Sequence, residues 1–503
     1  MSSDPCTWPR LKSGSSIRGE DALLTDEFAK KLGYAFALWL AARKETTPDR
    51  LTIAVGHDPR ASGPRLKAAF IDGLTAADSD VLDCGLSTTP AVFSTTLAED
   101  CHADGAAMIT ASHLPPKING FKFHMGEGGL RGEDVDEIIR MAMEARVPVR
   151  LVSPCDALSA YQESLRALVK RKLEDDASKP LLGLHVVVDA GNGSGGFYAS
   201  FLESLGAWVE GSQFLEPDGS FPHHAADPES PEAMRALSKA VVKNEADLGV
   251  LFDADCDRAA IVLSDGRFVN KNRLIALTAA MLLSHTPGLT IVTDSVTSTG
   301  LTRFIAEWGG THYRFKRGYR AVIDEAMRLN GEGIDCPLAI ETSGHAAFRD
   351  NHFLDDGMYL VTMLICEAMD LKREGKTLYS LLDGLQEPVE SMELRLGIRA
   401  DDPREAAQEM IELILSHTLD DPSWRLAPDN REGVRIVFDF GGEVESAWFQ
   451  LRLSVHDPVM ALNLESDVPG GVQWMLEKLA KLLGDDLEVD LGPLRAVLKE
   501  TAK

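Results

Sequence analysis

The chain has 503 residues, 44% of them hydrophobic and 26% charged, with a formal net charge of −27. That length exceeds what one hydrophobic core supports, so several domains are expected. The acidity argues against nucleic acid or an anionic membrane as partner, because phosphate backbones need clustered Lys and Arg. A small phosphorylated ligand would need a local gathering of cations against the global field.

In chain order, the N-terminal "MSSDPCTWPRLKSG" has no apolar signal core, and no apolar run reaches the roughly 18 residues of a membrane span. "YAFALWLAA" ends in "RKE" and reads as a buried helix. "LTIAVGHD" is strand-like and "RLKAAFIDGLTAA" has helical spacing. "HVVVDA" reads as a strand, "FYASFLESLGA" as a helix and "AWVEG" as a further strand. "LTIVTDS" leads into helical "TGLTRFIAEWGG", and "CPLAIETSG" reads as a strand followed by an amphipathic helix, "DDGMYLVTMLICEAM". This alternation argues for largely parallel sheets covered by helices, in three successive α/β units. After about residue 390 the strands "SMELRLGI", "GVRIVFDF", "AWFQLRLSV" and "VMALNLES" crowd together, with helical "PREAAQEMIELILSH" between the first two, as in a smaller α+β domain. Linkers are placed near "RVPVRLVSP", "LSDGRFVNKN" and "LLDGLQEPVES". The expected domains are 1–155, 156–270, 271–388 and 389–503. The seven cysteines (Cys6, Cys84, Cys101, Cys155, Cys256, Cys336 and Cys366) are scattered and form no CxxC, which suits reduced thiols of a cytoplasmic protein.

Two short stretches carry chemistry. In "LGVLFDADCDRAAIVLSDG", Asp253, Asp255 and Asp257 alternate between two apolar strands. On an extended chain, alternate side chains point the same way but lie about 6.6 Å apart. Ligands of one small cation must be closer, so the chain must curl here if it binds a metal. An EF-hand loop would want glycine at its sixth position and glutamate at its twelfth. Arg258 and Ser264 stand there, and the flanks are strands. The remaining alternative is a solvated acidic turn, in which three carboxylates would repel one another at a strand end. Hard oxygen donors favour Mg²⁺ over zinc, with the Cys256 thiol pointing away.

In "TASHLPPKINGFKFH", Ser112 sits beside His113 on a proline-stiffened segment. The G-x-S-x-G elbow of the serine hydrolases is absent. Two readings remain: a helix N-cap, or a serine that carries a phosphoryl group and therefore needs neutralising cations. Arg258, Lys122, His113 and a metal on the aspartates would supply the charge. A rival chemistry appears in "HVVVDAGNGSGG". Gly191, Gly193 and Gly196 form G-x-G-x-x-G after a strand, with Glu210 about 20 residues on, the pattern of a dinucleotide site in an NAD-dependent dehydrogenase. The blander reading is a tight strand-to-helix turn.

"TASHLPPKINGFK", "DADCDR", "ETSGH" and "RLSVHDP" occur in that order, with weaker echoes in "SGSSIRG", "GHDPRASG", "TTPA" and "EPDGSFPHHAADPES". Together they resemble the motifs of the α-D-phosphohexomutases, the phosphoglucomutase and phosphomannomutase superfamily. The resemblance spans nearly the whole chain. It implies four domains around a central cleft, three related α/β units with mixed, largely parallel sheets and a smaller C-terminal α+β domain.

By the same resemblance, Ser112 is the phosphorylated residue and joins Asp253, Asp255 and Asp257 around Mg²⁺, with Arg258 beside them. Glu341, Thr342, Ser343 and His345 form the sugar-recognition loop. Arg452, Ser454, Val455 and His456 form the phosphate loop. Lys122 and His345 are candidate general bases, with His113 near the phosphoserine. Arg18 and the loop of Lys316, Gly318 and Arg320 add substrate contacts. The implied reaction is reversible phosphoryl transfer between the 1- and 6-positions of a glucose or mannose phosphate, through a hexose 1,6-bisphosphate that also serves as activator. A phosphoglucosamine mutase is the alternative. The partner is a small-molecule sugar phosphate, and the oligomeric state is not legible. Four positions depart from the family pattern. Val455 and His456 stand where glycine or asparagine and threonine are common, Ser15 where an aromatic or threonine is frequent, and Ile340 where glycine precedes the glutamate.

Overall fold

The computed structural model describes residues 5–98, 101–147, 153–175, 178–400, 402–440, 443–454, 458–484 and 488–501. It divides into two compact units, residues 1–274 with 343–381, and residues 275–342 with 382–503.

The first unit contains a mixed sheet built around strand Thr52–His57, which pairs in parallel with Asp80–Leu86 and Gly105–Ile109. Strand Ile118–Met125 runs antiparallel to Gly105–Ile109 and pairs with Ser16–Glu20, which the edge strand Lys12–Ser13 borders in turn. The central strands are buried on both faces, which explains their near-continuous apolar sequence. Helices Asp26–Arg43 and Gly63–Ala76 cross closely. A Cβ on Gly73 would lie 1.9 Å from the Lys30 carbonyl oxygen, and one on Gly33 2.1 Å from that of Phe70. Only glycine at both positions lets the two backbones approach this near.

A second sheet of this unit has the order Phe268–Val269, Ala259–Leu263, Leu248–Phe252, Val186–Asp189. Leu248–Phe252 and Ala259–Leu263 are antiparallel, and the "DADCDR" segment is the loop that joins them. Helix Gly357–Arg373 packs on these strands and on helix Ala157–Lys172.

In the second unit, strand Thr290–Thr293 lies between Thr311–Arg314 and Leu338–Ile340, parallel to both. Helices Thr299–Glu307 and Tyr319–Gly331 follow the strands of this α/β layer. The C-terminal sheet is antiparallel, in the order Glu390–Gly397, Val459–Ser466, Glu443–Leu453, Val434–Phe440, Arg425–Leu426. Its core of Phe438, Phe449, Trp424, Leu462 and Leu476 is covered by helices Pro403–Asp420 and Gly471–Leu483. Three α/β layers and a terminal α+β layer match the expected fold class.

Three sequence expectations need correction. "AWVEG" makes only an isolated bridge at Trp208 to His185, because Trp208 is exposed and nothing extends the pairing. "LSDGRFVNKN" is not a linker but the hairpin turn of Ala259–Leu263 and Phe268–Val269. Helix Gly357–Arg373 is buried on nearly all sides over its first fifteen residues rather than amphipathic, since helix Ala157–Lys172 and the strands of the second sheet both cover it. Part of "RVPVRLVSP" lies outside the described residues. Among the described residues no helix is long and apolar enough to cross a membrane.

Candidate active site

Ser112 follows strand Gly105–Ile109 in a turn, with φ of 55°. No helix begins there, so the N-cap reading falls. A serine in the left-handed region must be held by its surroundings. Its backbone N–H donates to Thr110 Oγ1 at 2.9 Å, and Thr110 Oγ1 in turn donates to Asp58 Oδ2 at 2.8 Å. The wholly buried Arg60 supplies the rest of the restraint. Its Nε pairs with Asp58 Oδ2 at 2.9 Å, Nη1 donates to the carbonyls of Pro115 and Ile118 at 2.8 and 2.6 Å, and Nη2 to those of Ser112 and Leu114 at 2.5 and 2.7 Å. One guanidinium thus fixes four main-chain carbonyls of the serine loop.

The Ser112 hydroxyl donates to Asp253 Oδ2 at 2.7 Å, with His113 Nδ1 and Arg258 Nη2 each 3.4 Å from the same oxygen. The acidic loop does curl: Cys256 has φ of 65°, its thiol is fully buried, and it approaches the Asp253 carbonyl. Asp253, Asp255 and Asp257 are buried, and each offers a carboxylate oxygen within 4.8 Å of the others. Lys122, on strand Ile118–Met125, donates to Asp255 Oδ2 at 2.9 Å and to Asp257. Asp255 Oδ2 also accepts from Thr89 Oγ1 at 2.7 Å. Arg258 Nε pairs with Asp253 at 3.0 Å, and Arg258 Nη1 lies 3.5 Å from Asp227.

Charge is crowded here. Burial, then the charge of Asp257, push the Asp253 carboxyl up to about 7 against the pull of Arg258. Burial acts the same way on Asp255, but Lys122 and the Thr89 hydrogen bond outweigh it and hold that carboxyl below the usual range. Asp255 Oδ1 and Asp257 Oδ1 are buried and accept no hydrogen bond. Buried carboxylate oxygens left without a donor are costly, and a hard cation would satisfy both. The residues therefore fit a divalent metal, and the solvated-turn reading fails on burial.

His345 reaches this cluster from the "ETSGH" loop. Its backbone bridges Arg258, and Nδ1 lies 2.7 Å from Asp355 Oδ2 and 3.8 Å from Asp257 Oδ1. Gly344, with φ of 97°, lets the loop run against the metal-loop strand, where a Cβ would sit 2.6 Å from the Ala259 carbonyl oxygen. Ser343 is buried in the same turn. Burial and the charges of Arg258 and Arg18 hold the His113 ring neutral, its pKa lowered to about 2. Arg18 stands opposite Gly120 in the pairing of Ser16–Glu20 with Ile118–Met125.

The chain enters the second unit's share of the predicted residues at Glu341 and Thr342. Glu341 is buried and accepts from the backbone N–H of Gly318 at 2.5 Å, where φ is 124°. Thr342 Oγ1 donates to Asp294 at 2.6 Å. Lys316 is exposed beside this turn, while Arg320 pairs with Asp324 at 2.6 Å along its own helix. Arg452 is buried, not a strand-surface charge, and its Nε lies 4.0 Å from Glu432 Oε2, which also accepts from the Arg317 backbone N–H at 3.1 Å. Ser454 N donates to the Val459 carbonyl at 2.9 Å, and Val455 and His456 lie outside the described residues.

Sequence reasoning missed Arg60, Asp355 and Glu432. "GHDPR" and "LDDG" were visible, but neither showed which distant backbone or side chain each residue meets. The glycines of "AGNGSGG" have a packing role. A Cβ on Gly196 would lie 1.8 Å from the Leu215 carbonyl oxygen, and one on Gly193 2.8 Å from Ala254 Cα in the metal loop. The exposed Glu210 presents its carbonyl to His185.

The chain is also similar to known proteins. Residues 10–148, 159–266 and 270–389 match the families described as phosphoglucomutase/phosphomannomutase alpha/beta/alpha domains I, II and III. A phosphoglucomutase of Neisseria gonorrhoeae is 31% identical over 458 residues, covering 90% of this chain and 91% of that one. A phosphomannomutase/phosphoglucomutase of Pseudomonas aeruginosa is 30% identical over 452 residues, covering 88% and 89%. A crystal structure of a phosphoglucomutase/phosphomannomutase family protein from Burkholderia thailandensis superposes with a TM-score of 0.77 at 28% identity, covering 95% of this chain and 98% of that one. The buried serine, the acidic triad and these matches make the chain a member of the phosphoglucomutase/phosphomannomutase family, within the α-D-phosphohexomutases, and hence a hexose phosphate mutase, an isomerase.

Proposed function

We propose that Ser112 is phosphorylated in the working enzyme and exchanges its phosphoryl group with the 1- and 6-positions of glucose or mannose phosphate through a hexose 1,6-bisphosphate, which also activates the dephosphorylated form. The observation that carries this reading is the Ser112 hydroxyl, 2.7 Å from Asp253 inside a buried acidic triad with two oxygens lacking donors.

In the first unit, Asp253, Asp255, Asp257 and a phosphoryl oxygen on Ser112 would hold Mg²⁺, whose charge offsets that of the phosphoryl group. Arg258 and Lys122 hold further positive charge against the transferring oxygens, which is the main demand of phosphoryl transfer. The rigid turn built by Arg60 and Thr110 fixes the attacking or leaving Ser112 oxygen. Of the candidate bases, His345 is assigned to take the proton of a sugar hydroxyl: it borders the acidic cluster, with Nδ1 2.7 Å from Asp355 Oδ2 and 3.8 Å from Asp257 Oδ1. Lys122 is engaged with two aspartates, and His113, kept neutral, lines the phosphoserine.

In the second unit, Glu341 and Thr342, continued in sequence by Ser343, are assigned to sugar hydroxyls that both substrate orientations present. Arg452 and Ser454, with Lys316, Gly318 and Arg320, are assigned to the phosphate that does not react. Arginine's planar fork suits that contact. Val455 and His456 belong to the same assignment by sequence. We keep the four domains at 1–155, 156–270, 271–388 and 389–503, and a cytoplasmic setting, as parts of this reading.

A coupled assay with glucose 1-phosphate, mannose 1-phosphate and glucosamine 1-phosphate, in Mg²⁺ and a trace of hexose 1,6-bisphosphate, tests it. Turnover of the glucose or mannose ester well above that of the amino sugar is expected. Turnover of glucosamine 1-phosphate alone would establish the alternative mutase. Saturable binding of NADH in a fluorescence titration, without mutase turnover, would favour the dehydrogenase.

A further inference from the structure

Away from the acidic site, three cysteines distant in sequence converge at one edge of the first sheet. Cys84 is buried on strand Asp80–Leu86, next to the small apolar cluster of Ala54, Val92, Ala103 and Met108. Cys155 directly follows strand Ser153–Pro154, which pairs in parallel with Asp80–Leu86, and its N–H donates to the Asp83 carbonyl at 2.7 Å. Cys101 comes from the segment after helix Thr89–Ser94, and its Sγ lies 4.0 Å from that of Cys155. Cys101 and Cys155 are both partly exposed, whereas Cys256, Cys336 and Cys366 are buried.

Cys155 is the most activated of the three. It stands immediately before Asp156, the N-cap of helix Ala157–Lys172, and thiolates are favoured at helix N-termini. The Cys84 thiol, which donates to the Leu82 carbonyl at 3.6 Å, neighbours it, and the Cys101 thiol is within hydrogen-bond reach. The first of these contacts lowers its pKa most, against burial and the charge of Asp156.

We propose that Cys155 and Cys101 form a peroxide-reactive dithiol, a modification site separate from the mutase chemistry. The Cys155 thiolate attacks one oxygen of a peroxide, the O–O bond breaks, and Cys155 becomes a sulfenic acid as hydroxide or alkoxide leaves. The Cys101 sulfur then displaces the sulfenic oxygen as water, and a disulfide forms. Two electrons pass from the two thiols to the peroxide, and a thiol reductant reverses the change. The sulfurs need to close from 4.0 Å to roughly the 2.05 Å of a disulfide, a movement within the reach of side-chain rotation. The bond would close a ring around residues 102–154, the stretch that carries Ser112 and Lys122.

The test treats the full-length protein with one to a few equivalents of hydrogen peroxide, blocks remaining thiols by alkylation, and maps peptides before and after reduction. A Cys101–Cys155 disulfide should appear, be lost on reduction, and leave Cys256, Cys336 and Cys366 alkylated as in the untreated protein. In Cys101→Ser, Cys155 should be trapped by dimedone as its sulfenic acid. In Cys155→Ser, neither the disulfide nor a dimedone adduct on Cys101 should form, and mutase activity without peroxide should stay within about twofold of wild type. Equal alkylation of Cys155 with and without peroxide, or a disulfide joining Cys155 to Cys84 instead, would overturn the proposal.

Discussion

Replacing Arg60 by lysine tests how the serine loop is held. The guanidinium makes five contacts on fixed vectors, four of them to carbonyls of residues 112–118 and one to Asp58, and it lies 5.3 Å over the Phe221 ring. Lysine keeps the charge, but its three donors radiate from one atom. If it retains Asp58 and two carbonyls, two acceptors lose their donor. At about 0.5–1.5 kcal/mol each, the loop loses roughly 1–3 kcal/mol of restraint. If 2 kcal/mol of that is felt in the position of the Ser112 oxygen at the transition state, kcat falls about 30-fold. The assay is steady-state mutase turnover at saturating substrate and bisphosphate, alongside a thermal melt and limited proteolysis around residues 112–118. Slower turnover with faster cleavage in the loop is expected. An Arg60→Lys enzyme with kcat within threefold of wild type and an unchanged protease pattern would refute the assignment of Arg60 as the residue that positions Ser112.

Ser112→Ala should abolish turnover while leaving the melting profile in place, because it removes one hydroxyl and Asp253 Oδ2 still accepts from Arg258 Nε. Residual activity near wild type would remove the serine from the mechanism. Asp255→Asn takes away one carboxylate of the triad and a partner of Lys122 and Thr89, so the Mg²⁺ concentration for half-activity should rise about tenfold or more, read by titration after chelation; an unchanged requirement would contradict the triad as the metal site. His312 lies between Thr293 and Thr302, each 2.8 Å away, and burial with the charges of Arg314 and Arg435 holds its ring well below its ordinary pKa of 6.5. The unfolded chain takes up a proton below that pH and the folded one does not. Stability therefore holds above about pH 6.5 and declines below it by about 1.4 kcal/mol per pH unit from this group. His312→Gln should flatten the acid side of the denaturation profile, and an unaltered slope would show that the residue contributes nothing there.

The acidic loop and the serine loop could be read from sequence because their chemistry is packed into consecutive residues. Asp253, Asp255 and Asp257 announce a cation whatever surrounds them, and two apolar strands frame them. Arg60 could not be read this way. It acts on carbonyls 52 to 58 residues away, and nothing in "GHDPR" states which backbone the arginine meets. Asp355 precedes the N-cap Asp356 of helix Gly357–Arg373, so its sequence signature is that of a helix start, and only the approach of His345 gives it a second use. Glu432 has no sequence signature, and its part in the site comes only from the Arg317 N–H and Arg452 beside it. "AWVEG" was misread because a short strand-like run needs a partner strand along its whole length, and only Trp208 finds one. The α/β order was legible because burial on both faces leaves continuous apolar strands, as in Thr52–His57 and Leu248–Phe252.

The most direct test of Ser112 as phosphoryl carrier is a peptide map of the enzyme after brief incubation with a hexose 1,6-bisphosphate. The account predicts a gain of about 80 Da confined to the peptide containing Ser112, lost again on incubation with hexose monophosphate. Full mutase turnover with that peptide unmodified, or with phosphate on another residue, would contradict it.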